Sequence, residues 1–208
     1  MSLSSDGIRN IIFDLGDVII DLDIPATIGR FAECSGKTLE EARIIYSRSD
    51  VFLNYEKGLI TDQAFRSGAN ALLGTQLSDR EFDAIWNGML LQVPAEKIAM
   101  LEALAPGHRL FLLSNTNNIH LKCFVEIFRK ASGGRPIEDY FEKTYYSHLM
   151  GMRKPDEEIF RYVLQENGLD PAETLFLDDN ADNIRGAAAT GIRTFHVTHP
   201  SVVFNAFK

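Results

Sequence analysis

The chain has 208 residues, 45% of them hydrophobic, and a formal net charge of −8. That length suits one core domain plus a modest insert, and the apolar content supports a full hydrophobic core rather than a disordered chain. The acidic balance argues against a nucleic-acid partner or an anionic membrane surface, either of which wants a basic patch.

No apolar run approaches the roughly 20 residues of a membrane helix. Residues 1–7 lack the basic start and apolar stretch of a signal peptide and read as a tail. A soluble, cytoplasmic protein is the expectation. The two cysteines, Cys34 and Cys123, are far apart and lack metal-ligand spacing, so they read as buried thiols in a reducing compartment.

In chain order, the first clear element is 9–14, where Ile11-Ile12-Phe13 ends in Asp14 before a turn at Gly16. Similar short apolar runs follow at 109–115, 143–148, 174–179 and 193–197. Their continuous apolarity, rather than alternation, fits strands of a parallel sheet covered on both faces. Helical patterns at 119–130, 156–167 and 182–190 alternate with the later strands. Gly133-Gly134, Gly168 and Gly191 fall where helices should end. Alternating strands and helices predict an α/β fold with a doubly wound, Rossmann-like parallel sheet.

Residues 21–92 interrupt the alternation with helix starts and no good strand. Thr38-x-x-Glu41 and Ser78-x-x-Glu81 fit the capping box. Phe65, Ala69, Leu72 and Leu73, then Phe82, Ile85, Trp86, Met89 and Leu90, recur at helical spacing and read mostly as packing. The expected organisation is a core domain formed by 8–20 and 93–208, with 21–92 as an inserted helical cap over the carboxyl edge of the sheet. The tail Val202, Val203, Phe204 and Phe207 is apolar enough to dock on the body.

Ligands of open α/β sheets bind beyond the carboxyl ends of the strands, and four motifs lie at such ends. They are Asp14-Leu15-Gly16, Leu113-Ser114-Asn115-Thr116-Asn117, Gly151-Met152-Arg153-Lys154-Pro155 and Phe176-Leu177-Asp178-Asp179-Asn180. Each has a plain structural reading alone: Asp14 a turn residue, Ser114 and Asn115 a helix cap, Lys154 a solvated side chain, Asp178-Asp179 a turn or cap pair. Together they supply the parts of one chemistry. A carboxylate is a weak nucleophile, and attack on a phosphate monoester calls for a divalent cation and fixed donors around the phosphoryl oxygens. Asp14 fits the nucleophile, and Asp178 and Asp179 offer hard oxygen ligands for Mg²⁺. Ser114 brings a hydroxyl, the backbone at Asn115 brings N–H groups at a strand-to-helix turn, and Lys154 is a point positive charge. Pro155 reads as a helix-start residue.

The four motifs resemble those of the haloacid dehalogenase-like hydrolase superfamily, from residue 11 to about 197. More narrowly they are similar to its bacterial α-D-glucose-1-phosphate phosphatase branch. The resemblance implies Mg²⁺-dependent phosphomonoester hydrolysis through an aspartyl-phosphate on a small phosphorylated metabolite. It implies Asp14 as nucleophile and metal ligand, and Ser114, Asn115 and Lys154 as phosphate binders. Asp179 would be a metal ligand, Asp178 its supporting or alternate partner, and the Gly16 carbonyl a further ligand.

Most phosphatases of the superfamily carry a general acid where this chain has Gly16. Asp17, Asp21 or Asp23 could serve instead, the leaving group could need little help, or catalysis could be feeble. An anomeric sugar phosphate fits the second reading, which we prefer. His108, His120 and His148 carry no assigned role; His120 could reach the site, a helix-surface position being its commoner reading. The rival functions are a metal-independent 2-haloacid dehalogenase and a degenerate, non-catalytic phosphate-binding protein.

Overall fold

The computed structural model describes residues 7–207, so residues 1–6 of the tail fall outside it. The strands are β1 (Asn10–Phe13), β2 (Arg109–Ser114), β3 (Lys143–Tyr146), β4 (Thr174–Asp178) and β5 (Arg193–His196). They form one parallel sheet in the order β3-β2-β1-β4-β5. The helices are α1 (Ile24–Ser35), α2 (Leu39–Arg48), α3 (Asp50–Glu56), α4 (Asp62–Leu73), α5 (Asp79–Trp86), α6 (Ala95–Leu104), α7 (Asn118–Ala131), α8 (Ser147–Met150), α9 (Glu157–Asn167) and α10 (Ala181–Ala188).

The continuous apolarity of the strands follows from burial on both faces. Side chains alternate across a strand, so Ile11 and Phe13 enter one core with Leu112, Phe124, Phe128 and Leu101. Ile12 points the other way, to Phe111, Phe176, Phe160 and Val163. The order β3-β2-β1-β4-β5 means the chain winds outward from β1, then returns past it to β4. The switch point therefore lies between β1 and β4, where Phe13 is in register with Leu177. The residues just beyond, Asp14 and Asp178, come side by side.

Helices α1 to α5 bury a core of their own, in which Phe31, Phe52, Tyr55, Phe65, Phe82 and Trp86 meet Ile119 of α7. The Tyr55 and Phe65 rings stack at 4.0 Å, and Phe65 lies 5.3 Å from Trp86. Both capping boxes form: Thr38 and Ser78 accept from the backbone of Glu41 and Glu81, whose carboxylates accept in return.

The structure departs from the sequence expectation at several points. The 143–148 run stops being strand at Tyr146, because Ser147 Oγ accepts the Thr116 N–H (2.9 Å) and donates to the Glu56 carbonyl (2.7 Å), turning the chain into α8. Helix α6 was not predicted; its buried residues include Lys97, whose ammonium donates to the Val18 carbonyl. Leu72 is exposed while Phe65, Ala69 and Leu73 are buried. Cys34 is exposed and Cys123 half-buried, both off the apolar stripes of their helices, against the expected pair of buried thiols. Pro155 precedes α9 by two residues, with Asp156 at the N-cap. The tail does dock: Val203 and Ala206 are buried, and the Phe207 ring lies 6.3 Å from Phe13. No helix among the described residues is long and apolar enough to cross a membrane.

Phe65→Ala should cost about 3–5 kcal/mol in urea unfolding, as for other fully buried aromatics. Leu72→Ala in the same helix should stay within about 0.5 kcal/mol. Equal losses would place Leu72 in the core after all.

Candidate active site

β1 and β4 bring Asp14 and Asp178 to the switch point, and the Asp14 N–H donates to the Leu177 carbonyl at 2.8 Å. Lys154 fills the gap between the two carboxylates. Its Nζ donates to Asp14 Oδ1 and to Asp178 Oδ2, each at 2.7 Å, with its side chain 1% exposed. The loop carrying Lys154 is itself clamped, because the Asn115 side chain accepts the Lys154 N–H and donates to the Lys154 carbonyl, both at 2.9 Å. The side chain of Asn115 thus positions Lys154. Helix α10 presses on the same loop at Gly186, where a Cβ would lie 2.2 Å from the Pro155 carbonyl oxygen. Any larger residue there would push the loop away from the site.

The two aspartates at the end of β4 differ in their surroundings. Asp178 is fully buried, and besides Lys154 it accepts from the Asn180 N–H (2.7 Å) and the Asn183 amide (3.0 and 3.1 Å). Asp179 is exposed, yet oxygens of Asp14, Asp178 and Asp179 all lie within 4.8 Å of one another. Burial pushes the Asp14 carboxyl up to about 7, Lys154 pulling it back and Asp178 adding to the rise. Partial desolvation of its carboxyl, then Asp178 and Asp17, push Asp179 up to about 6. Burial works against the Lys154 ammonium, but Asp14 and Asp178 outweigh it and hold its pKa above the usual lysine value. Three carboxylates against one ammonium leave net negative charge in a partly desolvated place. That surplus, carried by hard oxygen donors, suits a divalent cation. With Asp178 spent on protein donors, Asp14 and Asp179 are the freer ligands.

Beside this cluster lies a cavity of about 130 Å³. The sheet edge contributes Leu15, Gly16, Ser114 and Asn115, the helices contribute Tyr46, Glu56, Trp86 and His120, and the segment after α5 contributes Met89 and Leu90. Trp86, Met89 and Leu90, read as packing, thus also face open space. His120, read as more commonly a surface residue, is buried and stacks on Trp86 with centroids 4.6 Å apart. Its Nδ1 lies 2.9 Å from Asn87 Oδ1. Burial pushes its pKa down to about 3, so the ring is neutral at physiological pH.

Gly16 has no side chain, and Leu22 lies close by. A Cβ there would lie 2.7 Å from Leu22 Cδ1, so a side chain at this position would require the Leu22 methyl to shift. None of the nearby aspartates lines the cavity. Asp17 accepts the Leu22 N–H (3.0 Å), Asp23 caps α1 through Ala26, and Asp21 is held by backbone pairing to Leu91 and Gln92. Sequence reasoning missed Glu56, and it gave no role to Asn183 or to His120, which it weighed as able to reach the site. Asn183, five residues after Asp178 in the following helix, could have been found from that spacing, but Glu56 could not.

The family model described as haloacid dehalogenase-like hydrolase matches residues 8–191. The chain belongs to that family of hydrolases. It is 32% identical over 190 residues to the D-ribitol-5-phosphate phosphatase of Bacteroides thetaiotaomicron, covering 90% of this chain and 91% of that protein. Its fold is similar to the crystal structure of a haloacid dehalogenase family enzyme from Bacteroides thetaiotaomicron, with a TM-score of 0.84 and 40% identity over 92% of this chain and 94% of that one. A further crystal structure of an enzyme so described, an aspartate-to-alanine variant in complex with magnesium and inorganic phosphate, has a TM-score of 0.83 at 40% identity, covering 90% and 93% of the two chains.

Two measurements check the electrostatics. Lys154→Met leaves Asp14 and Asp178 facing each other uncompensated, and should lower stability in urea by about 3–5 kcal/mol. A loss under 1 kcal/mol would mean the pair does not hold the strand ends. For His120 the folded pKa lies below the unfolded value of 6.5. The unfolded chain therefore takes up the proton first, and stability that is full above pH 6.5 falls as pH drops toward 3, by up to about 1.4 kcal/mol per unit. His120→Asn should flatten that slope between pH 6.5 and 4; an unchanged slope would assign it to other groups.

Proposed function

We propose that this chain is a Mg²⁺-dependent phosphatase that hydrolyses small phosphomonoesters, sugar phosphates such as glucose 1-phosphate among them, through an aspartyl-phosphate on Asp14. The observation that carries the reading is the Asp14–Lys154–Asp178 arrangement at the switch point with Asp179 within reach. The activity named for the D-ribitol-5-phosphate phosphatase and the magnesium and phosphate bound by the similar crystal structure support it.

In this reading an Asp14 oxygen attacks phosphorus while the Ser114 hydroxyl, the N–H groups at Asn115 and the Lys154 ammonium hold the phosphoryl oxygens. Asp14, Asp179 and the Gly16 carbonyl would hold Mg²⁺, with Asp178 fixing Lys154. When bound, the cation offsets the repulsion between carboxylate and phosphate. Lys154 then has two duties: it holds Asp14 in place and offers a donor to the phosphoryl group. Residues 21–92 act as a cap that closes the cavity over the leaving group, and residues 8–20 and 93–208 form the core. The setting is cytoplasmic, without nucleic acid or membrane as partner.

An anomeric oxygen leaves more readily than a primary alkoxide, so a site with Gly16 in place of an acid loses least on sugar 1-phosphates. A phosphatase panel with Mg²⁺ and with chelator tests the reading. Sugar 1-phosphates should turn over faster than sugar 6-phosphates, chelator should stop both, and Asp14→Asn should be inactive. Turnover surviving in Asp14→Asn removes the nucleophile from its role. Halide release from 2-haloacids without metal would favour the dehalogenase instead.

A further inference from the structure

Phosphoryl transfer to Asp14 leaves one proton without a carrier. When the phosphorus–oxygen bond of the ester breaks, the departing oxygen must gain a proton unless it leaves as a stable anion. When water then attacks the aspartyl-phosphate, that water must lose one. Position 16 has no side chain to act as an acid, and Asp17, Asp21 and Asp23 do not line the cavity, Asp17 accepting the Leu22 N–H and Asp23 capping α1.

Three titratable side chains line the cavity among the described residues: Tyr46, Glu56 and His120. His120 holds no proton to give at neutral pH, since burial pushes its pKa down to about 3. Burial pushes Tyr46 up to about 12, which makes it too weak an acid and leaves no phenolate to act as base. We propose that Glu56, at the carboxyl end of α3, is the general acid and base of the reaction, needed for a poor leaving group such as the primary alkoxide of a sugar 6-phosphate and least for an anomeric oxygen. The inference rests on the phosphatase reading. In the first half the Glu56 carboxyl gives its proton to the leaving oxygen as that oxygen parts from phosphorus. In the second half the resulting carboxylate takes a proton from the water that attacks phosphorus, the bond to Asp14 breaks, and inorganic phosphate and a protonated Glu56 result.

The way Glu56 is held supports the assignment. Its Oε2 accepts from Arg153 Nη2 at 2.9 Å and Nε at 3.2 Å, and its backbone carbonyl accepts from Ser147 Oγ at 2.7 Å. Arg153 precedes Lys154, so the cap carboxylate hangs from the loop that delivers the site's ammonium. Both Arg153 contacts fall on Oε2, so the core grips one carboxylate oxygen of a residue that lines the cavity. The groups facing Glu56 are Arg153, Lys154 and Tyr46; burial raises its pKa, and the two cations limit the rise.

The test is leaving-group dependence. An acid matters little when the leaving oxygen is acidic and much when it is an alkoxide, where general acid catalysis contributes about 10²–10⁴-fold. Glu56→Gln keeps the shape and an acceptor for Arg153 but carries no transferable proton. Its kcat/KM on glucose 6-phosphate should fall at least about 10²-fold further than on p-nitrophenyl phosphate. Glu56→Asp should recover part of the glucose 6-phosphate activity even if thermal melting finds both variants equally destabilised. Equal losses on the two esters, or no loss on either, would overturn the proposal while leaving the phosphatase reading intact. A wild type that hydrolyses only the aryl ester would overturn the proposal and count against the sugar-phosphate part of that reading, leaving Mg²⁺-dependent phosphatase activity itself standing. A wild type inactive on both esters with Mg²⁺ would overturn the phosphatase reading, and this one with it.

Discussion

A lysine ammonium buried between two carboxylates is tolerable in a protein interior only if each charge finds a partner at hydrogen-bond distance, because desolvating an unpaired ion costs several kcal/mol. Lys154 meets that condition with Asp14 and Asp178 at 2.7 Å each. The arrangement depends on three separate pieces of chain arriving together. β1 and β4 must pair so that their last residues are neighbours, the 151–155 loop must be clamped by Asn115, and α10 must come close enough for Gly186 to touch Pro155. Asp178 is committed on both oxygens by Asn180 and Asn183 as well as Lys154. The remaining carboxylates, Asp14 and Asp179, carry pKa values raised chiefly by burial and further by their neighbouring carboxylates, a setting that a cation would relieve.

The helices α1 to α5 add what the sheet edge lacks. Their own aromatic core lets them stand as a body, while Trp86, Met89 and Leu90 present apolar surface to the cavity. In such surroundings electrostatic interactions are stronger than in water, which suits a reaction that moves charge between phosphate, carboxylate and leaving group. The polar exceptions in this wall are few. His120 of α7 is held neutral against Trp86, and Glu56 of α3 is tied to Arg153, beside Lys154.

Much of this was legible in the residues. Parallel strands covered on both faces must be apolar throughout, so Ile11-Ile12-Phe13 and Phe176-Leu177 announce themselves, and topology then forces their carboxyl ends onto one edge. Asp14, Ser114, Lys154, Asp178 and Asp179 could therefore be placed near one another without coordinates. Capping boxes at Thr38 and Ser78 were equally readable, because a side chain three residues from its partner is a local matter. Where local pattern was thin, as in α6 with its buried Lys97, or in the early end of β3 at Ser147, reading failed because distant groups decide those structures.

Strand identity, the parallel sheet and the edge that gathers the carboxylates follow from apolar patterning and chain connectivity alone, since both act along the sequence. The division of labour at that edge does not. Whether Asp178 or Asp179 stays free, how Asn115 comes to clamp the Lys154 loop, and how Glu56 comes to the mouth of a sheet it does not belong to are set by contacts between segments far apart in the chain. Such contacts follow from three-dimensional packing, and no periodicity in a single sequence encodes them.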